Sequence, residues 1–145
     1  MAPKGRNPMN NFLLVLCTFL FLTAIEGKAQ ERASLASVYY WKAKPGKIEE
    51  YNRYIQQVAE PIDEEARKSG AFISVTTYVS QRDSSLWTHM RMFLLKDSVQ
   101  LQNLSKALEV AGEKLEPDEG KRKRRSEYSA RLRDPAGQEV LKVLK

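Results

Sequence analysis

The apolar positions of this chain change period as it advances, and those changes mark its elements. Leu35 to Ala43 (LASVYYWKA) is rich in aromatic side chains and reads as a strand. Pro45-Gly46 breaks it, and Ile48, Tyr51, Ile55, Val58 and Ile62 then recur at steps of three and four. That spacing places all five on one face of a helix. Glu49 and Glu50 fall in its first turn, where carboxylates meet the positive end of the helix dipole. Pro61 has no amide hydrogen and crowds the preceding turn, so a kink or restart is expected there. Gly70 suits the position that ends a helix.

Ala71 to Ser80 (AFISVTTYVS) is almost entirely β-branched or aromatic and predicts a second strand. Gln81 to Ser85 is a polar turn, and Leu86 to Lys96 (LWTHMRMFLLK) follows as a third strand, paired with the second as a hairpin. Asp97 is a good helix cap with Gln100 three residues on, a variant of the capping box. Leu101, Leu104, Leu108, Ala111 and Leu115 form a second helical stripe, which Pro117 and Gly120 interrupt. Asp118 to Arg133 is charged and sparsely apolar, as an exposed helix would be. Asp134-Pro135-Ala136-Gly137 signals a turn, and Val140 to Leu144 a last short strand.

Strand, helix, strand, strand, helix and a terminal strand is the α+β, ferredoxin-like βαββα(β) order, an antiparallel sheet with two helices on one face. The other face would lack a helical cover, and large side chains stand on both faces of the strands. Two copies packed face to face would bury it, making the chain a homodimer. The run Tyr39 to Tyr51 (YYWKAKPGKIEEY), the hairpin Phe72 to Leu95 and the Leu-striped second helix resemble the dimeric α/β barrel superfamily. That group includes small cofactor-free monooxygenases, haem-degrading monooxygenases, stress-responsive barrels and NIPSNAP-like proteins. The resemblance covers roughly residues 35–115. It implies a dimeric barrel and leaves the chemistry open. The charged stretch Asp118–Arg133 departs from the compact family pattern.

Alternation divides the hairpin into two faces. Leu86, Thr88, Met90, Met92 and Leu94 form an aliphatic set suited to lie under the helices, with Ile73, Val75, Thr77 and Val79 beside them. Trp87, His89, Arg91 and Phe93, with Phe72, Ser74, Thr76 and Tyr78, would then face the inside of a barrel. Alternation does not assign the first strand, where Val38 and Tyr40 compete with Tyr39 and Trp41. An apolar cavity with a few convergent polar groups is the usual form of a small-molecule site. The candidate ligand-binding residues are therefore Trp87, Thr76, Tyr78 and Phe93, and the candidate catalytic residues His89 and Arg91. Arg91 would grip an anionic oxygen through its forked donors, and His89 would exchange a proton near neutrality. Three readings follow. One is a binding protein for a planar or anionic organic molecule, and another a cofactor-independent monooxygenase or isomerase. The third is an interaction module that only dimerises, since Trp, Tyr and Arg also enrich interfaces.

Other chemistries find little support. There is one histidine and one cysteine, which excludes a multi-histidine zinc site within one chain. No cofactor or metal is expected. Asp63, Glu64 and Glu65 read as a solvated acidic face. Trp87 and His89 stand two apart on one strand, unlike the haem-degrading relatives, whose tryptophan and histidine lie on different elements.

The N-terminus restricts the partners. Lys4 and Arg6 precede an uncharged run from Phe12 to Ile25, and Gly27-Lys28-Ala29 offers small residues before a cut. Residues 1–29 thus read as a signal peptide, making the protein exported, periplasmic or secreted. Cys17 would leave with it, so no disulfide is expected in the mature chain. Residues 35–117 would be the barrel domain, and 118–145 a basic helix with a terminal strand. The net charge of +6 is unevenly spread. Gln30 to Pro117 balances, and the mature excess lies in Asp118 to Lys145. The run Lys121, Arg122, Lys123, Arg124, Arg125 would suggest nucleic acid inside a cell. Export argues against that partner, and the run then reads as a solvated helix with Glu127 and Asp134 as partial counter-charges, or as a weak contact with an anionic membrane.

Overall fold

The computed structural model describes residues 32–82 and 86–144. The leader read for Met1–Ala29, with Cys17, lies outside them, as does Asp83 in the hairpin turn. β1 (Leu35–Ala43) is followed by helix α1 (Ile48–Tyr54), which runs through a π-helical segment (Ile55–Ala59) into α2 (Glu60–Lys68). Next come β2 (Ser74–Val79), β3 (His89–Leu95), α3 (Ser98–Leu115), α4 (Glu119–Leu132) and β4 (Arg133–Lys142). The four strands form one antiparallel sheet in the order β2-β3-β1-β4. The architecture is α+β and compatible with a ferredoxin-like fold.

The expected disturbance at Pro61 takes the form of the π-helical segment. Pro61 has no N–H to give to the carbonyl four residues back. The ladder shifts one residue ahead of it, where the Glu60 N–H reaches Ile55 O. The added residue rotates the buried face of the helix. Before it Tyr51 and Ile55 are buried; after it Asp63 and Ala66 are. Gly70, at φ 81°, closes α2 as its position in the sequence requires. The α3 cap also forms, with the Asp97 carboxylate accepting the Val99 and Gln100 amides at 2.9 and 3.0 Å. Gln100 does not complete a capping box. Its side chain accepts from Lys96 N at 2.7 Å and donates to Gly70 O at 2.8 Å, tying α3 to the end of α2.

The core lies between the helices and one face of the sheet. Phe72, Phe93, Leu95, Ala66, Leu104 and Ala111 form its larger cluster, and Ala43, Tyr51, Ile55 and Leu132 a smaller one. Cross-strand partners share a face. Phe93 pairs Ser37 and Val75, Arg91 pairs Tyr39 and Thr77, and His89 pairs Trp41 and Val79. The opposite face carries Thr76 and Tyr78 on β2, Met90, Met92 and Leu94 on β3, and Val38 and Tyr40 on β1.

Two sequence expectations are corrected here. The assignment of faces on the third strand is inverted: His89, Arg91, Phe93 and Leu95 lie under the helices, and Met90, Met92 and Leu94 face away. Alternation shows which residues go together, but a polar residue with a buried partner is indistinguishable by period from a solvated one. Asp134-Pro135-Ala136-Gly137 is not a turn before a short strand. It lies inside β4, where Tyr40 pairs Gly137 and Trp41 pairs Pro135, leaving Ala136 as the extra residue of a bulge. Gly137 adopts φ 152°, and β4 is an edge strand, where a proline removes no ladder bond.

Candidate functional site

Two polar clusters sit beneath the helices where the sheet's ordinary alternation would place aliphatic side chains. The first surrounds His89, whose side chain is fully buried. Its Nε2 lies 2.8 Å from Asn52 Oδ1 on α1, and its Nδ1 lies 2.8 Å from Thr88 Oγ1. The Asn52 oxygen accepts, so Nε2 carries the hydrogen, and Nδ1 takes the Thr88 hydroxyl hydrogen. Thr88 also accepts from Ala43 N at 2.7 Å, locking the start of β3 to the end of β1. The Tyr51 ring meets the imidazole edge-on at 4.5 Å. Burial, and then the charge of Arg133, push the His89 pKa down to about 4. At neutral pH this is an uncharged imidazole with both nitrogens engaged inside the fold.

The second cluster is an ion pair. Arg91 Nη2 donates to Asp63 Oδ2 on α2, and Arg91 Nε donates to Thr77 Oγ1 at 3.2 Å. Both charged side chains are under a tenth exposed. The Arg91 guanidinium also lies 5.4 Å from the Phe93 ring centre. Arg133, at the start of β4, stacks over Trp41 at 4.5 Å and Tyr51 at 5.4 Å. The Tyr51 hydroxyl pKa is raised to about 12 by burial, so it stays protonated.

Asp63, Arg91 and Asn52 reach the edge of the sheet formed by β2. A cleft of about 350 Å³ lies there between α2 and β2, lined by Glu60, Asp63, Arg67, Val75, Thr77 and Arg91 among others. A second of the same volume continues past Thr77, lined by Glu49, Asn52, Arg53, Gln56, Glu60 and Val79. Glu60 and Thr77 belong to both.

The sequence-derived candidates therefore separate. His89, Arg91 and Phe93 share the helix-covered face, and Arg91 alone of them lines a cleft. Thr76 and Tyr78 stand on the opposite face and are exposed. Trp87 is not grouped with His89: it precedes β3 and packs on Tyr40 at 5.7 Å, whose partner Met90 is on that other face. The buried Thr88 breaks the alternation between them. Phe72 is a core residue against Phe93 at 5.1 Å. Asp63 was expected on a solvated face and is instead buried, while its neighbours Glu64 and Glu65 hold Arg67 and Lys114 at the surface. In a regular helix Asp63 would lie off the Ile55 face, and the residue added by the π-helical segment brings it onto that face.

The basic run lies in α4, with Lys121, Lys123 and Arg124 exposed. Arg122 is turned inward, donating to the carbonyls of Glu116 and Pro117 at 2.9 and 2.8 Å. Among the described residues, no helix is long and apolar enough to cross a membrane. No model of a known protein family matches this chain, and no curated protein does either.

Proposed function

We propose that the chain is an exported binding protein that forms a face-to-face dimer of the α/β barrel type and takes a small organic molecule into the β2-edge clefts. The observation that carries the reading is the cleft of about 350 Å³ with a buried guanidinium and a threonine in its wall. A concave site with a few fixed polar groups among apolar ones is the usual form of a ligand pocket. Binding without turnover fits better than catalysis by His89 and Arg91. His89 has no free nitrogen, and Arg91 is held by Asp63 and Thr77. The same ion pair argues against an anionic ligand, because the Arg91 charge is already matched. Thermal-shift screening against aromatic acids, quinones, haem, amines and short peptides tests the site. At least one class should raise the melting temperature, and Thr77→Phe, which places a ring in the wall shared by both clefts, should abolish that rise. Silence across the panel would remove the binding reading.

The dimer rests on the sheet face away from the helices, where Met90, Met92 and Leu94 are half-buried and Tyr78 is 46% exposed. The antiparallel order β2-β3-β1-β4 is compatible with a ferredoxin-like sheet, which supports the reading. Met92→Glu should convert the dimer to a folded monomer in sedimentation equilibrium. A wild-type protein that is monomeric at high concentration would end this part of the reading. Membrane contact through Lys121, Lys123 and Arg124 is a secondary proposal, supported by their exposure alone.

A further inference from the structure

The two edges of the sheet are built differently. β4 carries Pro135, a bulge at Ala136, and the charges Asp134, Glu139 and Lys142. Proline, bulges and charge are the devices that keep an edge strand from pairing with another chain. β2 (SVTTYV) has none of them. After Ser74 it contains only residues favourable to strands, and no other strand lies beyond it among the described residues.

The direction of its main-chain groups follows from the register. Ser80 N–H donates to Thr88 O at 2.7 Å, and Ser74 to Val79 pair in sequence with Leu94 to His89. In an antiparallel pair the bonded residues alternate. Ser74, Thr76 and Tyr78 therefore bond toward β3, and Val75, Thr77 and Val79 turn their N–H and C=O groups outward. The side chains of those same three residues lie on the helix-covered face. Val75 and Thr77 line the first cleft; Thr77 and Val79 line the second. The two clefts thus follow one another along β2 at a two-residue step, the spacing of alternate side chains on an added strand.

We propose that the β2 edge is a strand-addition site for a short extended peptide whose alternate side chains, lysine or arginine, enter the two clefts. This rests on the reading that the clefts bind a ligand, and it names the class. Main-chain bonds to Val75, Thr77 and Val79 supply affinity, and the clefts supply selectivity. The charge preference follows from the rim. Glu64 and Arg67 satisfy each other through two bonds of 2.9 Å. Glu49, Glu60 and Arg53 remain at the surface, leaving a net negative charge above the clefts.

The test uses fluorescence anisotropy with three labelled, end-capped peptides: Val-Lys-Val-Lys-Val, its Glu counterpart, and the Lys peptide N-methylated on alternate amides. The Lys peptide should bind at least tenfold more tightly than either of the others. Peptide should also slow hydrogen exchange at the Val75, Thr77 and Val79 amides specifically. Val79→Pro removes one outward N–H at an edge position and should weaken binding at least tenfold. If that variant misfolds, the surface double variant Glu49→Lys/Glu60→Lys replaces it and should invert the preference toward the Glu peptide. Equal binding of the N-methylated peptide, or no peptide binding while a non-peptide compound from the panel occupies the cleft, overturns this proposal and leaves the cleft reading standing. Failure of every compound and peptide overturns both.

Discussion

Asp63→Ala should cost about 3–5 kcal/mol of unfolding free energy, because it leaves the Arg91 charge buried without its partner. The Arg91 and Asp63 side chains are 9% and 5% exposed, so little water reaches the pair even though it stands in the wall of the cleft. Arg91 Nε would keep only Thr77, at 3.2 Å. The double variant Asp63→Leu/Arg91→Met should recover most of the loss, since it removes both desolvation costs and fills the same space with apolar atoms. Urea denaturation of the wild type and both variants measures this, with the midpoint shift carrying the effect at unchanged slope. A single-variant cost under about 1 kcal/mol would be that of an exposed pair, and would mean that the cluster is hydrated.

The second large effect is a loss of stability in mild acid caused by His89. Burial and the Arg133 charge lower its pKa from 6.5 to about 4 in the folded protein. Between those values the unfolded chain takes up a proton that the native imidazole does not. Stability therefore rises with pH across this window at about 1.4 kcal/mol per unit. The contribution is complete above the unfolded pKa and declines as pH falls toward about 4. Below that both states are protonated and the slope from this group vanishes. Denaturation at a series of pH values should show this slope, and His89→Gln should remove it whatever its own stability. An NMR titration placing the folded His89 pKa above 6 would refute the prediction.

The hydrogen bonds soften the acid effect without reversing it. A protonated ring would donate to both Asn52 and Thr88, and the Thr88 hydroxyl could turn to Trp41 O at 3.3 Å. What the charged ring lacks is solvent, and Arg133 adds repulsion. The same enclosure removes His89 from acid–base chemistry near neutrality. Its sequence position on a strand with an arginine two residues away gave no sign of that.

Much of the element order was legible because it depends on local chemistry. The strand Leu35–Ala43 matches the sequence reading to the residue. The Asp97 cap, the Gly70 stop and the Leu104–Ala111 stripe needed only neighbouring residues to be read. The disturbance near Pro61 was foreseen, but not its consequence. A one-residue π insertion rotates everything after it, which is how Asp63 came to lie inside and Arg91 acquired its partner. The bulge in β4 escaped notice for a related reason. Pro-Ala-Gly favours a turn in isolation, and only pairing with Tyr40 and Trp41 holds it extended.

By itself the sequence determined the first three strands, the helices, the Asp97 cap and the order of the elements, since propensity, period and missing amide hydrogens act over a few residues. The tertiary structure alone decided which face of β3 the helices cover. Period-two alternation is symmetric between the two sides of a sheet. The symmetry is broken only when Asn52 and Asp63, 37 and 28 residues away in the chain, arrive to satisfy His89 and Arg91.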